Sequence, residues 1–161
     1  MTALSTFVAP IGDRWFEDYV AGDVYEWGTI RVDQAEVIAF AQKYDPQTMH
    51  VDPQCAANGL FGGLIASGWH TAGMMMRLAV DHYLSSVSGI ASPGVDDLRW
   101  IAPVRPGDEL TLRVSVLETR RSASKPDRGL VVSLLEGVNQ RGDIVCSMRA
   151  KNLFLARSAR A

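Results

Sequence analysis

The sequence predicts an α+β fold in which an antiparallel sheet of about five strands wraps around one long buried helix. Residues 69–84 are apolar nearly all round a helical wheel, which is typical of a helix enclosed by the core. The chain after this segment reads as successive strands separated by turns. Because strands follow the helix instead of alternating with helices, the pattern does not fit a doubly wound parallel sheet.

The composition is that of an ordinary globular protein and excludes several classes of function. The 161 residues are 47% hydrophobic and 21% charged with a net charge of −2, and the basic residues are scattered, so we expect no nucleic-acid partner. The start of the chain lacks the pattern of a signal peptide, and no apolar run approaches the ~18 residues of a membrane span. We therefore expect a single domain over residues 1–161, located in the cytoplasm and not in a membrane.

The two cysteines, Cys55 and Cys146, give neither a disulfide framework nor a metal-ligand spacing. A metal contact by the His50-Val51-Asp52 segment has no second ligand cluster to support it. The expectation is a protein with reduced thiols, no metal and no cofactor.

The first half of the chain predicts one strand and one amphipathic helix. An extended run through Tyr25, Trp27 and Ile30 lies within residues 15–32. Asp33 is placed to cap the following helix, with Glu36 three residues on as in a capping box. The helix must end before Pro46, since the residue before a proline avoids helical backbone angles. That residue is Asp45, so its side chain should lie where the helix gives way to a loop.

Two more helices are predicted before the strands. Asp52 and Pro53 suit the N-cap and first position of a short helix that Gly59 can close. Ser67 suits the cap of the long apolar helix. Residues 74–76 are three methionines, which we interpret as core filler in preference to the lining of an acyl pocket. His70 is interpreted as a core histidine with satisfied hydrogen bonds.

The second half predicts four strands with clear turns. Residues 95–104 form the first, and Arg105-Pro106-Gly107-Asp108 then has proline and glycine where a type II turn requires them. Apolar and polar residues alternate over 110–116, which indicates a half-buried strand. After a polar loop at 122–128, strands are expected at 130–138 and 144–155, joined by a hairpin turn at 139–142.

A carboxylate and an imidazole lie five residues apart on the loop after the first helix. These are Asp45 and His50, and a glycine-rich segment leads from them into the start of the long helix. Two groups that transfer protons, next to a helix end that favours negative charge, are what an acid–base enzyme acting on a carbonyl compound needs. Each residue alone would as readily be an ordinary loop residue, so the inference depends on their combination.

The sequence resembles the MaoC-like dehydratases, the (R)-specific enoyl-CoA hydratase group of the hotdog fold. The resemblance is carried by the Asp45-x4-His50 unit, the segment FGGLIASG at 61–68 and the turn VRPGD at 104–108, and it extends over residues 15–155. It implies a hotdog fold, a homodimer or higher homo-oligomer, and a lyase of fatty acid metabolism. Such enzymes add water to 2-enoyl thioesters of coenzyme A, or remove it from 3-hydroxyacyl thioesters.

The resemblance also implies roles for individual residues. His50 is expected to accept a proton from water, while Asp45 orients the water and handles the second proton, although these roles could be exchanged. The Gly68 N–H would stabilise the thioester oxygen, since a helix N-terminus carries unpaired N–H groups. Ser67, Gln47 and Gly63 complete the predicted substrate-binding residues.

The sequence departs from the family pattern on the loop and on the long helix. Gln47 and Thr48 stand where the family usually has asparagine and proline, and Met76 stands where some members carry a serine. Two alternatives stay open. One is a non-catalytic module that binds acyl-CoA, which Thr48 and Met76 favour. The other is a hotdog thioesterase, which would need a carboxylate on the long helix; the acidic residue there is Asp81, whose position near the far end counts against this alternative. The acyl chain length and the choice between coenzyme A and acyl carrier protein are not encoded in these patterns.

Overall fold

The protein is described by a computed structural model, which covers residues 3–159. Over these residues, five strands form one antiparallel sheet in the order β1-β3-β4-β5-β2. The strands are β1 (Val24–Arg31), β2 (Gly89–Trp100), β3 (Glu109–Arg121), β4 (Arg128–Asn139) and β5 (Ile144–Leu155). Four α-helices lie between β1 and β2: α1 (Gln34–Tyr44), α2 (Thr48–Val51), α3 (Pro53–Ala57) and α4 (Gly68–Leu78). The predicted α+β class and five-stranded sheet are confirmed.

Helix α4 is the long helix at the centre, and it packs across the sheet. Met75 is fully buried, and a Cβ built on Gly137 of β4 would lie 3.0 Å from its Sδ atom. This glycine therefore lets the helix approach the sheet closely. The helix continues beyond Leu78 as a π-helical turn, Ala79–Tyr83.

The helix is not buried on all sides as its composition predicts. Trp69, Met76 and Val80 are exposed on one face of it and its π-helical extension, while His70, Met74 and Met75 are buried on the other. Of the three methionines, two are core residues as expected and Met76 is not. The composition could not reveal this difference. A helix face that packs in the core of its own chain and a face that packs against another chain both consist of apolar residues.

The end of the helix is held by the N-terminal segment. Arg14 is buried and donates hydrogen bonds to the carbonyl oxygens of His82 and Tyr83, at 2.8 and 2.9 Å. A cation at this position also compensates the negative end of the helix dipole. Ser88 donates to the carbonyl of Arg14 at 2.8 Å and closes this end of the core.

Most of the predicted caps and turns are observed. The Asp33 side chain accepts from the Glu36 N–H at the start of α1, and Asp52 accepts from the N–H groups of Gln54 and Cys55 at the start of α3. The turn before β3 has a hydrogen bond from the Asp108 N–H to the Arg105 carbonyl. In the hairpin between β4 and β5, the Gly142 N–H donates to the Asn139 carbonyl oxygen.

Two elements differ from the sequence-based prediction. Helix α2 is a single turn that the sequence analysis did not identify. Strand β2 begins six residues earlier than expected and ends at Trp100, with register shifts along its pairing with β5. Among the described residues, no helix combines the length and apolar character needed to cross a membrane.

Candidate active site

The loop after α1 brings Asp45 and His50 together. Asp45 is the C-cap residue of α1, and its backbone angles are no longer helical, as expected for the residue before Pro46. The single turn of α2 then carries His50 back toward it, so that Asp45 Oδ2 and His50 Nε2 lie 3.5 Å apart. The structure thus places the two predicted proton-transfer groups side by side.

The ring of His50 is fixed by a backbone carbonyl. Its Nδ1 lies 2.8 Å from the carbonyl oxygen of Ile65, and the side chain is buried. Because a carbonyl oxygen can only accept, Nδ1 must carry the hydrogen in this contact. In the neutral ring, Nε2 is then the unprotonated nitrogen, and it is the one that faces Asp45.

The Asp45 carboxylate accepts two side-chain hydrogen bonds. Gln47 Nε2 donates to Oδ1 and Ser67 Oγ donates to Oδ2, each at 2.7 Å. These two bonds lower the pKa of Asp45 below its ordinary value, against a smaller opposite effect of burial. The carboxylate is therefore ionised at neutral pH.

Ser67 has a different role from the one expected of a helix cap. It is the N-cap residue of α4, but its side chain makes no capping bond and instead donates to Asp45. The residue is fully buried. Its hydroxyl therefore links the start of α4 to the loop that carries Asp45 and His50.

Gly68 begins α4 directly beneath the indole ring of Trp100. A Cβ built on Gly68 would lie about 2.4–2.6 Å from three atoms of that ring, so no side chain fits at this position without a shift. The first N–H groups of an α-helix have no partner within the helix. Ser67, the residue before Gly68, bonds to Asp45, so the start of α4 lies beside the Asp45–His50 pair.

These groups share one cavity of about 600 Å³. Asp45, Gln47, His50 and Gly68 line it. Its other walls are mainly apolar and aromatic, formed by Tyr44, Met49, Phe61, Ile65, Ala66, Trp69, Thr71, Trp100, Ile101, Ala102, Pro103, Val104 and Val145. A small polar cluster at one side of a largely apolar cavity suits a ligand with one reactive polar group and a hydrocarbon part.

The cavity includes residues that the sequence analysis missed. Phe61, Trp69 and Trp100 contribute large aromatic surfaces to it, and Trp69 and Trp100 meet edge to face at 5.2 Å between ring centroids. Their sequence neighbourhoods carry no pattern that separates a cavity wall from a core residue. Their positions in the sequence could have drawn attention to two of them. Trp69 directly follows Gly68, and Trp100 lies shortly before the turn at 105–108.

Gly63 lies near the site but does not line this cavity. It has a φ of +151°, and a Cβ there would lie 3.3 Å from Nη1 of Arg105. Nη2 of the same guanidinium donates to the carbonyl oxygen of Phe61 at 2.6 Å. Gly63 thus permits the close approach by which the Arg105 turn holds the glycine-rich segment in place.

The remaining candidate residues lie elsewhere. Asp81 pairs with Arg77 at 2.8 Å on the exposed surface at the far end of the long helix. Met76 is exposed and does not line the cavity. Within residues 3–159 no cluster of histidine, cysteine and acidic side chains is arranged to hold a metal ion.

His70 is buried as expected, but one of its two ring nitrogens has no hydrogen-bond partner. Its Nδ1 has no partner in the structure, and the ring stacks on Phe40 at 4.8 Å between centroids. Burial lowers the pKa of this imidazole, against a smaller opposite effect of the Glu36 charge. The neutral ring is therefore the favoured form inside the core.

Comparison with known proteins identifies one family. A sequence model of the MaoC like domain matches residues 19–135. An uncharacterized protein YdeM of Bacillus subtilis is 31% identical over 125 residues, which are 78% of this chain and 87% of that protein. A 3-hydroxyacyl-thioester dehydratase Z of Mycobacterium tuberculosis is 34% identical over 95 residues, which are 57% of this chain and 61% of that protein.

Solved structures agree with the sequence matches. A MaoC-like dehydratase from Rhodospirillum rubrum superposes with a TM-score of 0.83 at 42% identity, over 89% of this chain and 98% of that one. An (R)-hydratase from A. caviae, involved in PHA biosynthesis, superposes with a TM-score of 0.66 at 25% identity, over 85% of this chain and 96% of that one. Both are similar to this chain over nearly their whole length.

Proposed function

This chain belongs to the MaoC-like domain family, and from that premise we propose that it is a hydratase or dehydratase of acyl thioesters. It would add water to the double bond of a trans-2-enoyl thioester, or remove water from a 3-hydroxyacyl thioester. The observation that carries this proposal is the 3.5 Å separation between His50 Nε2 and the Asp45 carboxylate in the cavity that both residues line. The dehydratase and (R)-hydratase names of similar proteins support the same reaction class.

The Asp45–His50 pair would hold the reacting water. Both Oδ2 of Asp45 and the neutral Nε2 of His50 are acceptors, so they do not bond to each other but can share one water that donates to each. The water oxygen would then attack C3 of the enoyl group as His50 takes one of its protons. Asp45 keeps its bond to the other hydrogen, which stays in the new hydroxyl group.

The proton balance favours His50 as the group that transfers the proton. Carbon C2 of the enoyl group must receive one proton for each water added. Asp45 has no proton to give, because its pKa is lowered and it is ionised. The protonated His50 can return the proton that it took from water to C2, which completes the addition. The reverse sequence removes water from the 3-hydroxyacyl thioester.

The start of α4 would stabilise the thioester oxygen as the negative charge of the enolate develops. Gly68 lines the same cavity and is the first residue of α4, at the positive end of the helix dipole. One such donor is worth about 10²–10³ in rate, and positioned proton transfer contributes about 10²–10⁴ more. Gln47 and Ser67 would act through Asp45, which they hold by hydrogen bonds.

The assembly and location are part of this proposal. We propose a homodimer that acts in the cytoplasm, with residues 1–161 as one hotdog domain. Exposed apolar residues on α4 and on the edge strand β2 support the dimer, among them Trp69, Met76, Val95 and Trp100. Trp69 and Trp100 also line the catalytic cavity, so a partner on this face would help to enclose the substrate.

The decisive experiment is a hydration assay with crotonyl-CoA on the native protein and on Asp45→Asn and His50→Gln. Each substitution should lower kcat/KM by about 10²–10⁴, since each removes one part of positioned proton transfer. Asp81→Asn is the matched control, because this acid pairs with Arg77 on the surface at the far end of the long helix and should not matter. Release of free thiol would instead indicate a thioesterase. Binding of crotonyl-CoA without any turnover would indicate a non-catalytic module.

A further inference from the structure

A second cavity of about 350 Å³ adjoins the catalytic cavity. Two side chains, Met49 and Phe61, line both cavities and form the wall between them. Beyond this wall, the second cavity is lined by Thr48 of α2, by Cys55 and Ala56 of α3 and by Gly59 and Leu60 after it. None of these five residues has a role in the proposed reaction.

The second cavity suits hydrocarbon. Its surface is almost wholly apolar, and no charged side chain of the described residues lines it. The nearby carboxylate of Asp52 is occupied by the N–H groups of Gln54 and Cys55. Leu60 is 95% exposed, so a large apolar side chain stands in water beside an apolar cavity. A hydrocarbon ligand that covered it would remove this surface from water.

The wall combines a backbone held by hydrogen bonds with an adaptable methionine side chain. The Met49 carbonyl accepts from the Ile65 N–H at 3.1 Å, and the Phe61 carbonyl accepts from Arg105. The methionine side chain is unbranched and adapts readily to neighbours of different shape. Met49 also precedes His50 directly in the chain, so the wall stands beside the reacting groups.

From this geometry we propose that the second cavity receives the far end of a straight acyl chain, with Met49 and Phe61 as the gate. This inference rests on the proposed hydratase function and deepens it. A short acyl group ends within the catalytic cavity, whereas a longer one displaces the gate side chains and reaches Cys55 and Leu60. The substrates would then be thioesters of medium or long straight chains. Each methylene that leaves water contributes up to about fourfold in kcat/KM.

The first test compares crotonyl-CoA with trans-2-decenoyl-CoA as substrates. Leu60→Asp places a charge at the mouth of the second cavity and, at an exposed position, should leave the fold intact. It should lower kcat/KM for the ten-carbon substrate at least tenfold and leave that for crotonyl-CoA within twofold. Val8→Asp is the matched control, because Val8 is equally exposed and lines neither cavity. It should change neither value.

The second test uses Cys55 as a reporter that needs no catalysis. Cys55 is exposed and lines the second cavity, whereas Cys146 is buried and serves as the internal control. Decanoyl-CoA, which has no double bond to hydrate, should slow alkylation of Cys55 by iodoacetamide at least tenfold. Butanoyl-CoA should leave the rate within twofold, and Cys146 should stay unmodified in the native protein.

The outcomes separate this inference from the function on which it rests. If crotonyl-CoA is hydrated but Leu60→Asp does not alter the ratio between the substrates, or decanoyl-CoA does not protect Cys55, the acyl subsite is wrong and the hydratase stands. If Leu60→Asp dissociates the protein and lowers both activities together, the cavity is covered by a second copy of the chain, which also overturns the subsite. If no enoyl thioester is hydrated, the hydratase itself fails.

Discussion

The Asp45 carboxylate is held from two sides, by an amide from its own loop and by a hydroxyl from the start of α4. Gln47 keeps the carboxylate against the turn that carries His50, and Ser67 ties it to a helix 22 residues further along the chain. The two bonds fix the direction of the carboxylate and lower its pKa. A short side chain that would otherwise rotate freely is thereby aimed at His50.

We expect Ser67→Ala to lower kcat/KM about tenfold or more, because a hydrogen bond to a charged group is worth about 1.5–3 kcal/mol. The pKa of Asp45 should rise toward its ordinary value, since the Ser67 bond is one of the two that lower it. Both effects are measurable, by a hydration assay and by an NMR titration of the carboxyl group.

Ser88→Ala is the control for that substitution. It also removes a fully buried serine hydroxyl, but one that bonds to the Arg14 carbonyl at the other end of the core. It should cost stability without changing the Asp45 pKa or the activity per folded molecule. Equal losses of activity in the two variants would mean that Ser67 matters for folding alone.

The sequence was informative about these side chains only where the chemistry is local. The Asp45–His50 pairing follows from five residues of spacing and one proline, and the loop closes it as that spacing indicates. The hydrogen-bond partner of the Ser67 hydroxyl was not predictable. A serine at this position can either cap its own helix or bond to Asp45. The approach of α4 to the α1 loop decides between them.

The contact between the start of α4 and the end of β2 is the tightest feature around the cavity. The Gly68 Cα lies against the Trp100 indole, which leaves no room for a side chain. Sequence patterns gave no sign of this contact, since β2 was expected to continue through residue 104. The apolar residues after Trp100 read as a strand, yet the N–H groups of Ile101 and Ala102 both turn to a single carbonyl, that of Val145.

The beginning of β2 was missed for the opposite reason. Its Ser92-Pro93-Gly94 segment has the composition of a loop, and pairing with β5 makes it part of the sheet despite that composition. The strands β3, β4 and β5 were predicted within about five residues, because their limits are marked by turns or a polar loop. Gly107 lies in the turn before β3 and Gly142 in the hairpin between β4 and β5, and both have positive φ.

We expect Gly68→Ala to lower kcat/KM at least tenfold even though it preserves the backbone N–H. The added methyl group would overlap the Trp100 ring, so either the ring or the helix start must move. A double-mutant cycle with Trp100→Ala provides the control, since the same methyl group meets no ring in that background. Gly68→Ala should then cost much less, and an equal loss in both backgrounds would contradict a steric cause.

At the level of the whole molecule, large apolar side chains of α4 and of β2 stay exposed in the single chain, and we refer to them together as one apolar face. Trp69 is 59% and Met76 is 45% exposed on α4, and Val95 and Trp100 are exposed on the neighbouring edge strand. Edge strands with exposed apolar residues readily pair with another chain. This face is the interface that we propose for the homodimer.

Met76→Asp should therefore convert the dimer into a monomer, because it introduces a charge into an apolar interface. Sedimentation velocity gives the mass, and circular dichroism shows whether the fold is retained. Val8→Asp adds the same charge at an exposed position outside this face and should remain dimeric. A native protein that sediments as a monomer, or a Met76→Asp variant that still sediments as a dimer, would exclude this interface.

The carbonyl of Ile65 has a consequence for how such a protein can change over evolutionary time. The main-chain oxygen of residue 65 binds Nδ1 of His50 and so leaves Nε2 free to act as a base. Every amino acid at position 65 supplies this same oxygen. Mutation of that codon can alter the apolar wall of the cavity without changing which tautomer of His50 is held. Substitutions at position 65 can thus change ligand preference while His50 keeps the same proton-accepting nitrogen.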